Sequence, residues 1–188
     1  MRFMNLMKNE INRIFLDEHG RFQIDFSQAI WATNKLHNIF ATLKDNILND
    51  VDFVVEDDYN IFFIEYKNSN VKVSGESGKF NPISGEGLRV VARKYYDSLN
   101  FIRALGKGFN KNKIYVYILE TKRNKRNNDE LKKYAYNRLK DRLPFKFKTR
   151  SEAQGILMTE TMIDDLKILS IKDWNEQYQQ FPAKLLVD

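Results

Sequence analysis

The sequence predicts a layered α/β or α+β domain, with a mixed central sheet flanked by helices. Two segments rich in β-branched and aromatic residues, "VDFVVE" (51–56) and "NIFFIEYK" (60–67), are separated by a short polar turn, which is typical of a hairpin. A third segment, "KIYVYILET" (113–121), is apolar on both faces, as in a strand buried inside a sheet. Between them an amphipathic helix is predicted from about 86 to 105. Strands interleaved with helices in this way indicate packed layers.

The composition indicates a soluble globular protein. The 188 residues are 43% hydrophobic and 13% aromatic, which suits one domain with a core at about 1–120 and a basic extension at about 121–188. No apolar run approaches the roughly 18 residues of a membrane helix, so we expect a cytoplasmic protein with no membrane partner. Cysteine is absent and there are only two histidines, which excludes thiolate zinc sites. Any bound metal is therefore expected to have oxygen ligands.

The positive charge is concentrated in one part of the chain. Residues 103–150 contain 16 Lys and Arg against 4 Asp and Glu, whereas the whole chain has 31 against 25. A basic block of this kind favours binding to a phosphate backbone. The alternative is a lysine-rich face that contacts only solvent.

The elements before the hairpin are predicted from periodicity. A helix over about 3–16 places Glu10 on an apolar stripe. The segment "RFQIDF" (21–26) alternates and predicts a short strand. Ser27 is then expected to cap a long helix that ends near Leu43.

The elements after the hairpin begin with a long loop, and long loops in compact domains are usually functional. Gly106 is placed to end the helix that follows this loop. This loop covers residues 68–87 and includes a short strand at Val71–Val73. The last predicted elements are a basic helix over about 129–142, a strand at "FKFKT" (145–149), an apolar stretch "GILM" (155–158) and a helix opening near Thr161.

Three charged side chains lie in the otherwise apolar hairpin. Alternation puts Glu65 and Lys67 on one face of their strand. If Glu56 pairs with Ile61 across the turn, paired residue numbers sum to 117 and Asp52 lies opposite Glu65. Opposed β-carbons are about 4.5–5.5 Å apart. Two carboxylates so close repel each other, and burying either one unpaired costs several kcal/mol.

A hard divalent cation would resolve this repulsion. Mg²⁺ commonly binds one or two carboxylates, with water and substrate phosphate as its other ligands. Lys67 could then hold a water for attack on phosphorus and offset the charge that develops in the transition state. The pattern therefore predicts phosphodiester hydrolysis with Mg²⁺, for which Mn²⁺ is expected to substitute.

Asp52, followed thirteen residues later by Glu65-Tyr66-Lys67 at the end of an apolar strand, resembles the motif of the PD-(D/E)xK, or restriction-endonuclease-like, nuclease superfamily. The resemblance implies that Asp52 and Glu65 bind catalytic Mg²⁺, that the Tyr66 carbonyl adds a ligand and that Lys67 positions the nucleophilic water. It also implies an αβββαβ core. Glu10 is then a candidate third carboxylate.

The chain departs from the superfamily pattern at several points. Val51 precedes the aspartate where the motif has proline. Asp50 is a rival to Asp52 for the metal. The helix predicted from Ser27 is an insertion relative to the simplest core.

Basic residues outside the hairpin are candidate nucleic-acid contacts. Arg89 and Arg93 recur with Tyr96 on one face of the helix after the loop, where the alternative is a solvated helix face. In the basic block, cations are followed by Tyr134 and Tyr136, which suits backbone contact with base stacking; the alternative is an amphipathic helix with a basic outer face. The candidates are Arg89, Arg93, Lys79, Lys122, Arg123, Lys125 and Arg126.

These observations together predict a Mg²⁺-dependent endonuclease, with DNA favoured over RNA as the substrate. One alternative is a nucleic-acid-binding or regulatory module with the same fold that does not cleave. Another is a protein-binding domain in which Glu65 and Lys67 form a surface ion pair. A homodimer or a protein partner is compatible with each of them.

Overall fold

The structure, a computed structural model, describes residues 13–68, 83–121 and 125–186. Over these residues the protein is a mixed α/β fold with two sheets. The elements are β1 (Ile14–Leu16), β2 (Phe22–Asp25), β3 (Trp31–Thr33), α1 (Leu36–Phe40), β4 (Phe53–Glu56), β5 (Asn60–Asn68), α2 (Gly85–Ala104), β6 (Asn112–Glu120), α3 (Lys125–Lys140), α4 (Phe147–Ala153), β7 (Asp165–Leu169), α5 (Ile171–Gln177) and β8 (Ala183–Leu185).

The central sheet is mixed, as predicted. Its five strands lie in the order β3-β4-β5-β6-β7. The pairs β3–β4 and β4–β5 are antiparallel, and the pairs β5–β6 and β6–β7 are parallel. Parallel neighbours need a crossover connection, which α2 supplies between β5 and β6 and which α3 and α4 supply between β6 and β7.

The predicted hairpin register is confirmed. Phe53 pairs with Ile64 and Glu56 pairs with Ile61. The turn is stabilised by Asp57, whose Oδ1 accepts hydrogen bonds from the backbone N–H groups two and three residues further on, at 2.8 and 2.7 Å. Such Asx turns form because a short carboxylate can replace a backbone acceptor. The register brings Asp52, directly before β4, to the level of Glu65.

Each face of the central sheet is covered by a separate apolar cluster. The first cluster packs α2 and α3 against side chains such as Phe63, Tyr115 and Tyr117. The second packs the three-stranded sheet β1-β2-β8 and α5 against the other face, with Phe62 and Trp174 at its centre. Both faces of β5 are therefore buried, and Glu65 lies on the face that α2 covers.

The long helix predicted from Ser27 is wrong. The chain forms β3 and the five-residue helix α1 in that region. Trp31 pairs with Glu56 at the edge of the central sheet, so tertiary pairing outweighs the local helical periodicity. Asp25 accepts a hydrogen bond from the Ser27 N–H at 2.8 Å, which makes a turn where the cap was expected.

Three further predictions need correction. The last residues of the helix predicted over 3–16 form β1, which pairs with β2, whereas residues 3–12 lie outside the described ranges. The segment predicted as a strand at 145–149 leads instead into α4, and the helix expected near Thr161 is replaced by β7. The open edge of β6 explains β7, because pairing there satisfies its backbone groups.

The remaining predicted elements agree closely with the structure. The strand at 21–26 is β2, the helix at 86–105 is α2 and the strand at 113–121 is β6. Gly106 follows α2 with a φ of 70°, the left-handed conformation that glycine adopts easily. The basic helix is α3, which begins four residues earlier than predicted.

Two parts of the predicted organisation remain outside this agreement. The apolar stretch 155–158 has no regular structure, and Leu157 is exposed. Most of the predicted loop, residues 69–82, lies outside the described ranges, as does the strand expected at 71–73.

Within the described ranges, no helix is both long and apolar enough to cross a membrane.

Candidate active site

The hairpin and α2 bring four charged side chains together, and we call Asp52, Glu65, Lys67 and Lys94 the charged cluster. Lys67 Nζ lies 2.9 Å from Glu65 Oε1. Lys94 Nζ lies 2.9 and 3.0 Å from the two carboxylate oxygens of Glu65 and 4.0 Å from Asp52 Oδ1. The side chain of Glu65 is 0% exposed. The cluster therefore places one fully buried carboxylate, one partly exposed carboxylate and two partly exposed ammonium groups between sheet and helix.

The strand geometry explains where Glu65 and Lys67 lie. They are two residues apart on β5, so both side chains leave the same face of the sheet. Tyr66, between them, points to the opposite face and stacks on Phe22 with ring centroids 4.1 Å apart. In the parallel pairing with β6, Glu65 lies beside Tyr117, another buried residue of the first cluster.

The position of Asp52 is fixed by both of its neighbouring elements. Its Oδ2 accepts a hydrogen bond from the Tyr66 N–H of β5 at 2.7 Å. On the other side, the Val51 N–H donates to Ser98 Oγ of α2 at 3.0 Å. The Asn49 N–H donates to Asp97 of the same helix at 2.9 Å. The segment that carries Asp52 is thus held between β5 and α2.

Asp52 is incompletely compensated by its surroundings. Burial, and then the negative charge of Glu65, raises the pKa of Asp52 to about 6, although Lys67 and Lys94 act in the opposite direction. Ionising Asp52 beside the ionised Glu65 therefore still costs free energy, even with both lysines present. Another cation near these oxygens would stabilise the ionised form of Asp52.

The other members of the cluster are held in their charged forms. Burial alone would raise the pKa of Glu65, but the fields of Lys67 and Lys94 outweigh it and lower that pKa. Burial alone would lower the pKa of Lys67, but Glu65 and Asp52 raise it, and they raise the pKa of Lys94 in the same way. Lys67 is therefore a fixed cation, suited to orienting a water and unsuited to accepting a proton.

The oxygen donors of the cluster fit a hard divalent cation. Asp52 and Glu65 supply two carboxylates, which is the number that Mg²⁺ commonly uses in proteins. The raised pKa of Asp52 is consistent with a place where such a cation would relieve repulsion. Within the described ranges, no group of three or more Asp, Glu, His or Cys side chains is arranged to hold a metal. Glu10 lies outside those ranges, and a role for the Tyr66 carbonyl stays a prediction.

Asp50, the rival to Asp52, lies elsewhere. Its Oδ1 is 3.3 Å from Nδ1 of His37 on α1. The structure therefore pairs Asp50 with a histidine, while Asp52 meets Glu65.

Arg89 and Arg93 do not belong to the charged cluster. Arg89 is exposed and pairs with Glu86, the nearest of their oxygens lying 2.6 Å from its Nη2. Arg93 lies 3.5 Å from Asp97 and also donates to the Ile47 carbonyl. Together with Ala92, Tyr96 and Arg142, these two arginines line an open groove beside α2. The structure thus brings Arg142 to the predicted arginine face, and a substrate contact there stays a prediction.

The predicted nucleic-acid contacts in the basic block are described only in part. Lys79, Lys122 and Arg123 lie outside the described ranges, and Lys125 and Arg126 begin α3 without described side chains. Further along α3 and α4 the structure exposes another set of basic residues. We call this set the basic surface: Lys133, Arg138, Lys140, Lys146 and Arg150. Tyr134 is exposed beside it, with the Arg138 guanidinium 5.5 Å from its ring centroid, whereas Tyr136 packs against the core.

The sequence interpretation missed Lys94. On α2, Gly87, Val91 and Ser98 lie at positions i−7, i−3 and i+4 from this lysine, and all three are buried. That spacing was a usable signal, since it places Lys94 at the margin of the face turned toward the sheet.

Comparison with known proteins gives no match: no protein-family model fits the chain, and neither curated proteins nor solved structures resemble it significantly. The function is therefore inferred from the charged cluster and its surroundings.

Proposed function

We propose that this protein is a divalent-cation-dependent nuclease of the PD-(D/E)xK type that hydrolyses phosphodiester bonds, with DNA its preferred substrate. The observation that carries the proposal is the convergence of Asp52, Glu65 and Lys67 in one charged cluster around the buried Glu65 carboxylate. Neither carboxylate is at a position that the apolar core requires, and Asp52 is ionised there at an energetic cost.

The order of the elements supports the proposal. The strands β3, β4 and β5 form an antiparallel meander, α2 follows, and β6 returns parallel to β5. This order is compatible with the βββαβ part of the core that the resemblance implies, with Asp52 directly before the second of these strands and Glu65 and Lys67 on the third. The helix expected before the meander falls on residues outside the described ranges.

The cluster suits phosphodiester hydrolysis. Asp52 and Glu65 would hold Mg²⁺, which when bound supplies Lewis-acid polarisation of a phosphate oxygen and a more acidic water. Lys67 holds its proton, so it orients the attacking water and offsets the negative charge that develops on phosphorus. Hydrogen bonds to β5 and α2 hold Asp52 and the residue before it in place before any substrate binds.

A cleavage assay tests the proposal. Supercoiled plasmid, linear DNA and single-stranded RNA are incubated with Mg²⁺, Mn²⁺, Ca²⁺ or EDTA. Removing one oxyanion-stabilising group typically costs about 10²–10³ in rate, and we expect at least that loss for Asp52→Asn and Lys67→Met. Lys172→Met is the matched control, because this lysine is exposed on α5, where it pairs with Glu176. Cleavage that is equal in all four proteins, or absent on every substrate, would contradict the proposal.

A non-cleaving nucleic-acid-binding module is the second candidate. Two observations favour it: the two carboxylates of the cluster already have two ammonium partners, and the basic surface is exposed. Salt-dependent DNA binding with no product at any cation concentration would identify this function. The third alternative fits the structure poorly, because Glu65 is fully buried and cannot form a surface ion pair.

A further inference from the structure

Lys94 contacts the Glu65 carboxylate in the manner of a chelated cation. Its ammonium reaches both oxygens almost equally, at 2.9 and 3.0 Å, and it also approaches Asp52 Oδ1 at 4.0 Å. Lys67, by contrast, lies 2.9 Å from one oxygen of Glu65. The two lysines therefore differ in kind, since Lys94 lies between the two proposed metal ligands.

The oxygens that Lys94 holds are the ones that a metal would need. Mg²⁺ binds carboxylate oxygens at about 2.0–2.1 Å, closer than any ammonium can approach. An ammonium kept on both Glu65 oxygens would then lie within a few ångströms of a doubly charged ion. Even at the moderate effective dielectric constant of a protein, such a repulsion amounts to several kcal/mol.

We infer that Lys94 and the divalent cation compete for the Glu65 carboxylate, so that cation binding expels the Lys94 ammonium from the charged cluster. The inference rests on the proposed function, because it requires Asp52 and Glu65 to bind the cation. Lys94 then acts as the resident counter-ion of the cation-free protein and keeps Glu65 ionised and in place.

Cation binding changes the charge that the site presents to a substrate. In the cation-free cluster two carboxylates are balanced by two ammonium groups. A divalent cation adds two positive charges, and the displaced ammonium remains tethered to α2 nearby. The cation-loaded site therefore attracts an anionic phosphodiester, whereas the cation-free site is close to neutral.

The first test measures cation affinity in the absence of substrate. Mn²⁺ binding is followed by calorimetry and electron paramagnetic resonance for wild type, Lys94→Met and Lys67→Met. Removing the competitor should tighten Mn²⁺ binding by about tenfold or more in Lys94→Met, a conservative value for a close like charge. Lys67→Met is the matched control, because it removes one ammonium group from beside the same carboxylate while Lys94 still contacts both Glu65 oxygens.

Three outcomes would overturn the inference. Unchanged or weaker Mn²⁺ binding by Lys94→Met would make Lys94 a structural partner of Glu65 only. An equal gain in Lys67→Met would reveal a general charge effect with no competition. If wild type and both variants fail to bind Mn²⁺, the proposed function fails together with the inference, which distinguishes this outcome from the other two.

A second variant and a direct readout guard against a folding defect. Lys94→Gln keeps a hydrogen-bond donor near Glu65 and should also bind Mn²⁺ more tightly than wild type. In wild type labelled at the lysine Nζ atoms, adding Mg²⁺ should shift the Lys94 ammonium resonance to that of a solvent-exposed lysine. A Lys94 resonance that persists unshifted at saturating Mg²⁺ contradicts expulsion.

Discussion

At the scale of single residues, Asp52 and Glu65 have opposite effects on stability, although both are carboxylates on one face of a hairpin. The two ammonium groups lie closer to Glu65 than to Asp52. Their fields lower the pKa of Glu65 but leave the pKa of Asp52 raised. Ionised Asp52 therefore opposes folding.

Asp52→Asn should stabilise the protein near neutral pH. In the folded protein the Asp52 pKa is about 6, against 3.8 for an ordinary aspartate. Well below pH 3.8 the Asp52 carboxyl is protonated in the folded and the unfolded protein, so it does not affect the free energy of unfolding. As the pH rises from 3.8 to 6, Asp52 ionises first in the unfolded chain, and the free energy of unfolding falls. Above pH 6 this loss of stability is complete. The variant should then be more stable at pH 7 by about 2–3 kcal/mol, a gain that disappears near pH 3.5. Urea denaturation across this pH range measures it.

Glu65→Gln gives the matched comparison of opposite sign. The Glu65 pKa is lowered in the folded protein, so its contribution is present at neutral pH and is lost as pH falls through the folded pKa. Its loss leaves the partly buried Lys67 and Lys94 without their nearest carboxylate, which should cost about 2–3 kcal/mol. A pH-independent gain in Asp52→Asn, or a stabilised Glu65→Gln, would contradict the assignment of charges in the cluster.

At the scale of elements, α2 does more than cover the sheet. It supplies Lys94 to the cluster, and it fixes the segment before Asp52 through Asp97 and Ser98. Ser98 is fully buried, and its hydroxyl accepts the N–H of Val51. Ser98 is therefore a positioning residue that acts through the backbone.

Ser98→Ala should lower the Mn²⁺ affinity of the site by more than its effect on folding stability alone explains. The Val51 N–H would lose its partner in a buried place, at a cost of about 1–3 kcal/mol. Asp52 would become less well placed, so Mn²⁺ affinity should fall along with cleavage. Calorimetric titration with Mn²⁺ and thermal unfolding measure the two effects separately.

Ser84→Ala is the control on the same helix. Ser84 caps α2 by accepting the Gly87 N–H at 2.9 Å, and its loss should cost about 1 kcal/mol. Mn²⁺ affinity should be unchanged in this variant. If both variants lose affinity in proportion to stability, Ser98 has no positioning role.

The elements that the sequence predicts correctly are those with strong local signals. β4 and β5 follow from their β-branched and aromatic residues around a polar turn, and α2 follows from its apolar periodicity and Gly106. Apart from the strand predicted at 145–149, which leads into α4, the wrong predictions concern β1, β3 and β7, short strands whose backbone pairs with other segments. Their local patterns are weak, so the partner strand decides their structure.

At the scale of the whole molecule, the basic surface lies on α3 and α4, whereas the charged cluster is formed by β5, α2 and the residue before β4. Binding and cleavage should therefore be separable.

The double variant Lys133→Gln, Arg138→Gln should bind DNA more weakly. It should also lower the magnitude of the slope of log K against log salt concentration by about one for each phosphate that the variant no longer neutralises. Asp52→Asn should keep the wild-type slope. Fluorescence anisotropy over a series of salt concentrations tests both, and an unchanged slope in the double variant would exclude DNA binding by the basic surface.

The sequence by itself determined the hairpin, its register and the facing of Asp52 and Glu65. These features depend on strand alternation and on a short turn, which are local properties of the chain. Only the tertiary structure decided that Lys94, 29 residues from Glu65, holds that carboxylate, and that the pKa of Asp52 is raised. The pKa depends on burial and on the distances between charges, and both are set by how α2 packs on the sheet.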